Sequence, residues 1–126
     1  NTQIGGETSS LNEFAVGYFL ERRTLEHFNT LYLPRGVDKN AANVSPLRAR
    51  DFAGLPPAYV MLAGYDPLHD EGLAYAEKLR AAGVKVTIAD YPDLVHAFIY
   101  LQTVLPQAHD AMAKAAKAVK AALDAA

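Results

Sequence analysis

The sequence contains no cysteine. That excludes a thiolate nucleophile, a disulfide framework and cysteine-based metal sites, and it leaves the redox compartment undecided. No apolar run approaches the ~18 residues needed to cross a bilayer, so no membrane span is expected. There is no basic excess either. The net charge of −2 lacks the positive footprint of a nucleic-acid binder. Serine is scarce, with only Ser9, Ser10 and Ser45 present. No signal peptide and no internal repeat are visible, and the expected location is cytoplasmic. The first residue is Asn1 rather than methionine. The expectation is a chain processed or cut from something longer, which leaves a secreted parent open.

What is present suffices for a core. With 51% hydrophobic residues in 126, the chain is long enough for at most one domain and is not disordered by composition. Residues 1–55 read as a helical segment with a long connection, and 56–126 as a strand-helix-strand unit with a C-terminal helix. Asn1 to Ser10, with Gly5-Gly6 and Ser9-Ser10, reads as a flexible lead-in. Ser10 is expected to cap a short helix with Glu13 as its capping-box partner, and Gly17 to end it. Leu25, Phe28, Leu31 and Tyr32 recur at spacings of three and four, which predicts a second helix over Glu21 to Leu33. Pro34 and Gly36 stop it. His27, beside that stripe, reads as a structural or solvated histidine. Arg35 to Leu55 is a polar connection whose length suggests a packed surface excursion, with one helical turn expected at Asp51 to Leu55.

Ala58 to Ala63 is nearly all apolar, the pattern of a strand covered on both faces, as in parallel sheets. Gly72 to Ala82 predicts a helix that Asp70 can cap and that Gly83 stops in a left-handed conformation. Val84, Val86 and Ile88 alternate with Lys85, Thr87 and Ala89, which predicts a second strand, Val84 to Tyr91, near a sheet edge. Strand, helix, strand in this order is a right-handed crossover unit. Phe98 to Leu105 allows a helical turn or two, and Pro106 suits the first turn of a last helix to about Leu123. Met112, Ala116, Val119 and Leu123 would face the sheet.

Two strands that each end near an ionisable residue bring both residues to one edge of a parallel sheet, where open α/β folds keep their chemistry. Asp66 follows the first strand and His96 the second. Histidine suits proton transfer near neutrality, and a carboxylate on its other nitrogen fixes tautomer and orientation. On spacing alone the alternative stays open that Asp66 is a turn residue and His96 a cap or packing residue. His69, Asp70 and Glu71 crowd the same turn but show no recognised ligand spacing, so no metal site is expected.

Leu55-Pro56-Pro57-Ala58-Tyr59, Tyr65-Asp66-Pro67-Leu68-His69-Asp70-Glu71-Gly72, Tyr75-Ala76-Glu77-Lys78-Leu79, Ala82-Gly83-Val84 and His96-Ala97-Phe98 resemble the C-terminal part of the hormone-sensitive-lipase-like α/β-hydrolase esterases. Glu13-Phe14-Ala15, Gly17-Tyr18-Phe19-Leu20 and Ser45-Pro46-Leu47 resemble the family's segment between its sixth and seventh strands. The likeness runs from about Ser10 to Leu123. It implies the C-terminal portion of an α/β-hydrolase fold, a parallel strand-helix-strand unit with flanking helices. It also implies that Asp66 and His96 are the acid and base of a Ser-Asp-His triad. The implied substrate is an ester of short acyl chain, with no cofactor. The nucleophile elbow G-x-S-x-G and the oxyanion motif H-G-G-G are absent from the sequence. The chain alone is therefore expected to be inactive, and to pair with itself or with a separate N-terminal chain. A non-catalytic assembly module is the alternative. The family usually has glycine where this chain has Ala97, a difference that matters if the backbone there needs a positive φ.

Overall fold

The computed structural model describes residues 1–125. Its centre is a two-stranded parallel sheet of β1 (Ala58–Tyr65) and β2 (Val86–Val95). Helix α3 (His69–Ala81) connects them. Two short helices precede this unit, α1 (Ser9–Glu13) and α2 (Arg22–Tyr32). The long connection after α2 carries a 3-10 turn at Pro46–Arg48. After β2 come a second 3-10 turn, Phe98–Tyr100, and the long helix α4 (Pro106–Asp124). Pro106 occupies the first turn of α4, where a missing N–H costs nothing.

The sheet separates two small cores. On one face Ala63 packs with Leu94, Phe98 and the small residues Ala108 and Ala111 of α4, with Met61 and Tyr91 against them. Around α3, Phe52, Leu79 and Val84 pack with Ala58, Tyr75 and Val86. Strand alternation explains the division, because residues 61 and 63 share one face and 58 the other. Only Leu62 and Ala63 of β1 are buried, less than the double cover its apolar run predicts. With no third strand among the described residues, no strand pairs along the far edge of β1.

Several expected elements shift. The cap of α1 is Thr8, whose hydroxyl accepts from the Leu11 N–H at 3.1 Å; Ser10 lies inside the helix and bonds elsewhere. Asp70 does not cap α3, which has Leu68 at its N-cap position and no side-chain cap bond. Asp51 to Leu55 makes no helix: the Asp51 carboxylate accepts from the Ala53 N–H and closes a turn, while Phe52 is buried. Phe28, Leu31 and Tyr32 of α2, and Met112, Val119 and Leu123 of α4, are exposed. Those stripes find no partner within the described residues.

The lead-in is anchored rather than loose. The Ile4 N–H donates to the fully buried Ser45 hydroxyl at 2.8 Å, and the Leu47 N–H donates to the Thr2 carbonyl at 2.9 Å. Gly83 stops α3 with a φ of +83°, as its place in the sequence predicts.

β2 does not end at Tyr91 but continues to Val95 through an irregularity. Ala63 pairs with Tyr91, yet Tyr65 pairs with Val95, so two extra residues on β2 bulge opposite Gly64. Pro92, which cannot donate to a ladder, sits in that bulge. A Cβ on Gly64 would lie 2.2 Å from the Pro92 carbonyl oxygen, so only glycine admits the close approach.

Past the bulge, Ala97 adopts φ 58°, ψ 19°. A left-handed alanine carries roughly 1–2 kcal/mol of strain, partly offset by the greater unfolded freedom of glycine. Ala97→Gly is expected to raise stability by about 0.5–1 kcal/mol, read from urea unfolding midpoints.

Candidate active site

The register Tyr65↔Val95 places the next residues, Asp66 and His96, side by side at the C-terminal edge of the sheet. Their side chains meet. The His96 Nδ1 lies 2.7 Å from Asp66 Oδ2. A carboxylate only accepts, so in the neutral ring Nδ1 carries the proton and Nε2 is the acceptor. The Asp66 side chain is 12% exposed and that of His96 34%. The carboxylate is thus shielded while the ring remains reachable.

Asp66 is held on its other side by its own turn. The Leu68 N–H donates to Oδ1 at 2.8 Å, and the His69 N–H donates to the Asp66 carbonyl at 3.0 Å. Pro67 between them is fully buried. Both carboxylate oxygens are therefore occupied, which fixes the side chain as well as the turn. A cavity of about 280 Å³ opens against the pair, lined by Met61, Ala63, Asp66, His96, Ala97, Phe98, Ile99 and Tyr100. A larger one, about 700 Å³, lies between the N-terminal segment and α2. It touches neither Asp66 nor His96, so the smaller cavity is where proton-transfer chemistry has room.

Bonds with no visible signal in the sequence pattern brace this edge. The Ser10 N–H donates to Asp70 Oδ2 at 2.9 Å, and the Ser10 hydroxyl donates to the Pro67 carbonyl at 3.0 Å. Glu71 accepts from the Thr2 N–H, and its carbonyl accepts from the Thr2 hydroxyl at 3.0 Å. Each of these bonds spans at least 57 residues, beyond the reach of any local motif.

His69 bridges two carboxylates, with Nδ1 3.2 Å from Asp70 Oδ1 and Nε2 3.2 Å from Asp90 Oδ2. It joins the start of α3 to the middle of β2. Among the described residues no three His, Asp or Glu side chains converge as a metal ion would need. His27 is exposed.

Burial disfavours the His69 imidazolium, but the hydrogen bonds to Asp70 and Asp90 and their charges outweigh it and raise its pKa above 6.5. Burial likewise works against the Asp70 carboxylate, yet the Ser10 N–H and His69 hold its pKa below 3.8. The signs set a window. A raised histidine pKa adds stability that is complete below 6.5 and lost as pH rises through the folded value. A lowered carboxylate pKa adds stability that is complete above 3.8 and lost as pH falls through the folded value. His69→Gln is therefore expected to cost more stability at about pH 5.5 than at about pH 9, measured by urea unfolding at both. An equal cost at the two would mean that His69 is uncharged in the bridge.

Comparison with known proteins adds an independent line. The α/β-hydrolase-fold family matches residues 2–100. Carboxylic ester hydrolase LipN of Mycobacterium tuberculosis is 41% identical over 101 residues, covering 79% of this chain and 27% of that protein. Ethyl acetate hydrolase of Pseudomonas putida is 33% identical over 111 residues, covering 88% and 35%. The solved structure of an ester hydrolase from the metagenome of Lake Arreo superposes with a TM-score of 0.92 at 43% identity, over 97% of this chain and 39% of that one. The chain thus spans between about a quarter and two fifths of the length of these relatives. Sequence motifs, the parallel strand-helix-strand unit and these matches agree: the chain belongs to the hormone-sensitive-lipase-like esterases of the α/β-hydrolase fold.

Proposed function

We propose that this chain supplies the acid and the base of a carboxylic ester hydrolase, with Asp66 orienting His96. The observation that carries the reading is the 2.7 Å contact between His96 Nδ1 and Asp66 Oδ2 at the edge where both strands end. The nucleophilic serine and the oxyanion hole come from polypeptide outside this sequence, since none of Ser9, Ser10 and Ser45 lies in a Gly-x-Ser-x-Gly elbow. In acylation the serine hydroxyl attacks the ester carbonyl while His96 Nε2 takes its proton. The tetrahedral intermediate collapses, and His96 returns that proton to the departing alcohol. In deacylation a water gives its proton to the same nitrogen and adds to the acyl carbonyl; the second tetrahedral intermediate then collapses, His96 returns the proton to the serine oxygen, and the acid leaves. Asp66 stays ionised throughout and stabilises the imidazolium. The relative named for ethyl acetate supports an ester with a short acyl chain as substrate.

The chain alone is expected to show no hydrolysis of p-nitrophenyl acetate above buffer. Refolded with a polypeptide carrying the elbow and oxyanion segments of a family relative, it should gain turnover. His96→Ala should then lower that turnover by roughly 10³-fold or more. Turnover by the chain alone that His96→Ala abolishes would overturn the division of labour.

A second reading is a non-catalytic assembly module. It is favoured by the exposed Phe28, Leu31 and Tyr32 of α2 and Met112, Val119 and Leu123 of α4, beside a sheet whose outer edges are unpaired. Light scattering that shows a stable monomer at high concentration would count against self-assembly.

A further inference from the structure

We propose that Ser10 is a positioning residue for Asp66: its hydroxyl ties the 66–70 turn to α1 so that the carboxylate faces His96. The proposal rests on the reading of Asp66 and His96 as acid and base. Asp66, Pro67 and Leu68 form a stiff unit, because the Leu68 and His69 N–H groups both fold back onto Asp66. Stiffness within the turn does not set its angle to β1 and α3. Ser10 bonds the turn at both ends. Its hydroxyl donates to the Pro67 carbonyl at 3.0 Å and accepts from the Asp70 N–H at 3.2 Å. Its own N–H donates to Asp70 Oδ2.

A small side chain with one atom that both donates and accepts meets this need, which is what a serine hydroxyl offers. Ser10 is 4% exposed, so water has little access to replace it. Removing the hydroxyl deprives the Pro67 carbonyl of the bond that Ser10 donates, and a buried group left without a partner drives local rearrangement. The rearrangement falls one residue from Asp66. Thr8 provides the contrast. It also serves α1, through the Leu11 N–H, but among the described residues it reaches the turn only through Ser10.

The test reads the imidazole Nδ1–H of His96 by proton magnetic resonance in the 126-residue chain. Held by a carboxylate, that proton resonates far downfield and exchanges slowly, and Asp66→Ala should abolish the signal. Ser10→Ala should speed its exchange with water about tenfold. Ser10→Cys, similar in size but a weak donor, should give a smaller acceleration in the same direction and serves if the alanine variant does not fold. Thr8→Ala, which removes the helix cap, should leave the proton as it is in the parent. Parent-like exchange in a folded Ser10→Ala or Ser10→Cys variant overturns the proposal. So does equal acceleration in Thr8→Ala, which would reduce Ser10 to general stability. A parent with no protected proton that Asp66→Ala removes overturns the Asp66–His96 pairing itself, a failure distinct from the other two.

Discussion

The parallel pairing of β1 with β2 is the constraint on which the rest depends. Parallel strands need a crossover, and α3 supplies it. Because the strands run the same way, their C-terminal ends lie together, and whatever follows each strand meets at one edge. Here that is a carboxylate and an imidazole. The bulge opposite Gly64 refines the result. Were those two residues paired in a regular ladder instead of bulged, His96 would lie further along the strand, opposite Leu68 rather than Asp66. The near-contact of Gly64 with the Pro92 backbone is the steric condition for that adjustment.

The turn after β1 carries more than the candidate acid. Asp66 binds His96, Asp70 binds Ser10 and His69, and Glu71 binds Thr2. One short stretch thereby attaches three separate parts of the chain: the end of β2, helix α1 and the extreme N-terminal segment. The cost of burying Asp66 and Glu71 is offset because each carboxylate accepts hydrogen bonds. Among the described residues no buried side-chain nitrogen or oxygen is left without a partner. Among those residues the buried polar side chains are satisfied although the sheet has only two strands.

The apolar surface tells a different story from the polar interior. Strand β1 has little cover, and the stripes of α2 and α4 face outward. Such patches are what the proposed association with another polypeptide would cover. Ala97 adds local tension at the same edge, since a left-handed alanine persists only where its surroundings hold it there. Phe98, buried in the core next to α4, and His96, bonded to Asp66, pin it from both sides.

Much of this was legible in the residues. The continuous apolar run before Asp66, the alternation before His96, the helix periodicity between them and the stop at Gly83 follow from local spacing. They place Asp66 and His96 at strand ends, and the surrounding motifs name the family. Other features depended on packing between distant segments. No local signal shows that the Ser10 hydroxyl bonds the Pro67 carbonyl instead of capping its own helix, because the competing partner lies 57 residues away. Nor does one show that β2 bulges past Tyr91, that Ala97 is left-handed, or that alanines 108 and 111, not Met112 and Val119, meet the sheet. Spacing along a chain settles which elements form and in what order. Which donor finds which acceptor, and which face of a helix is covered, is settled only when segments far apart in sequence compete for the same buried atoms.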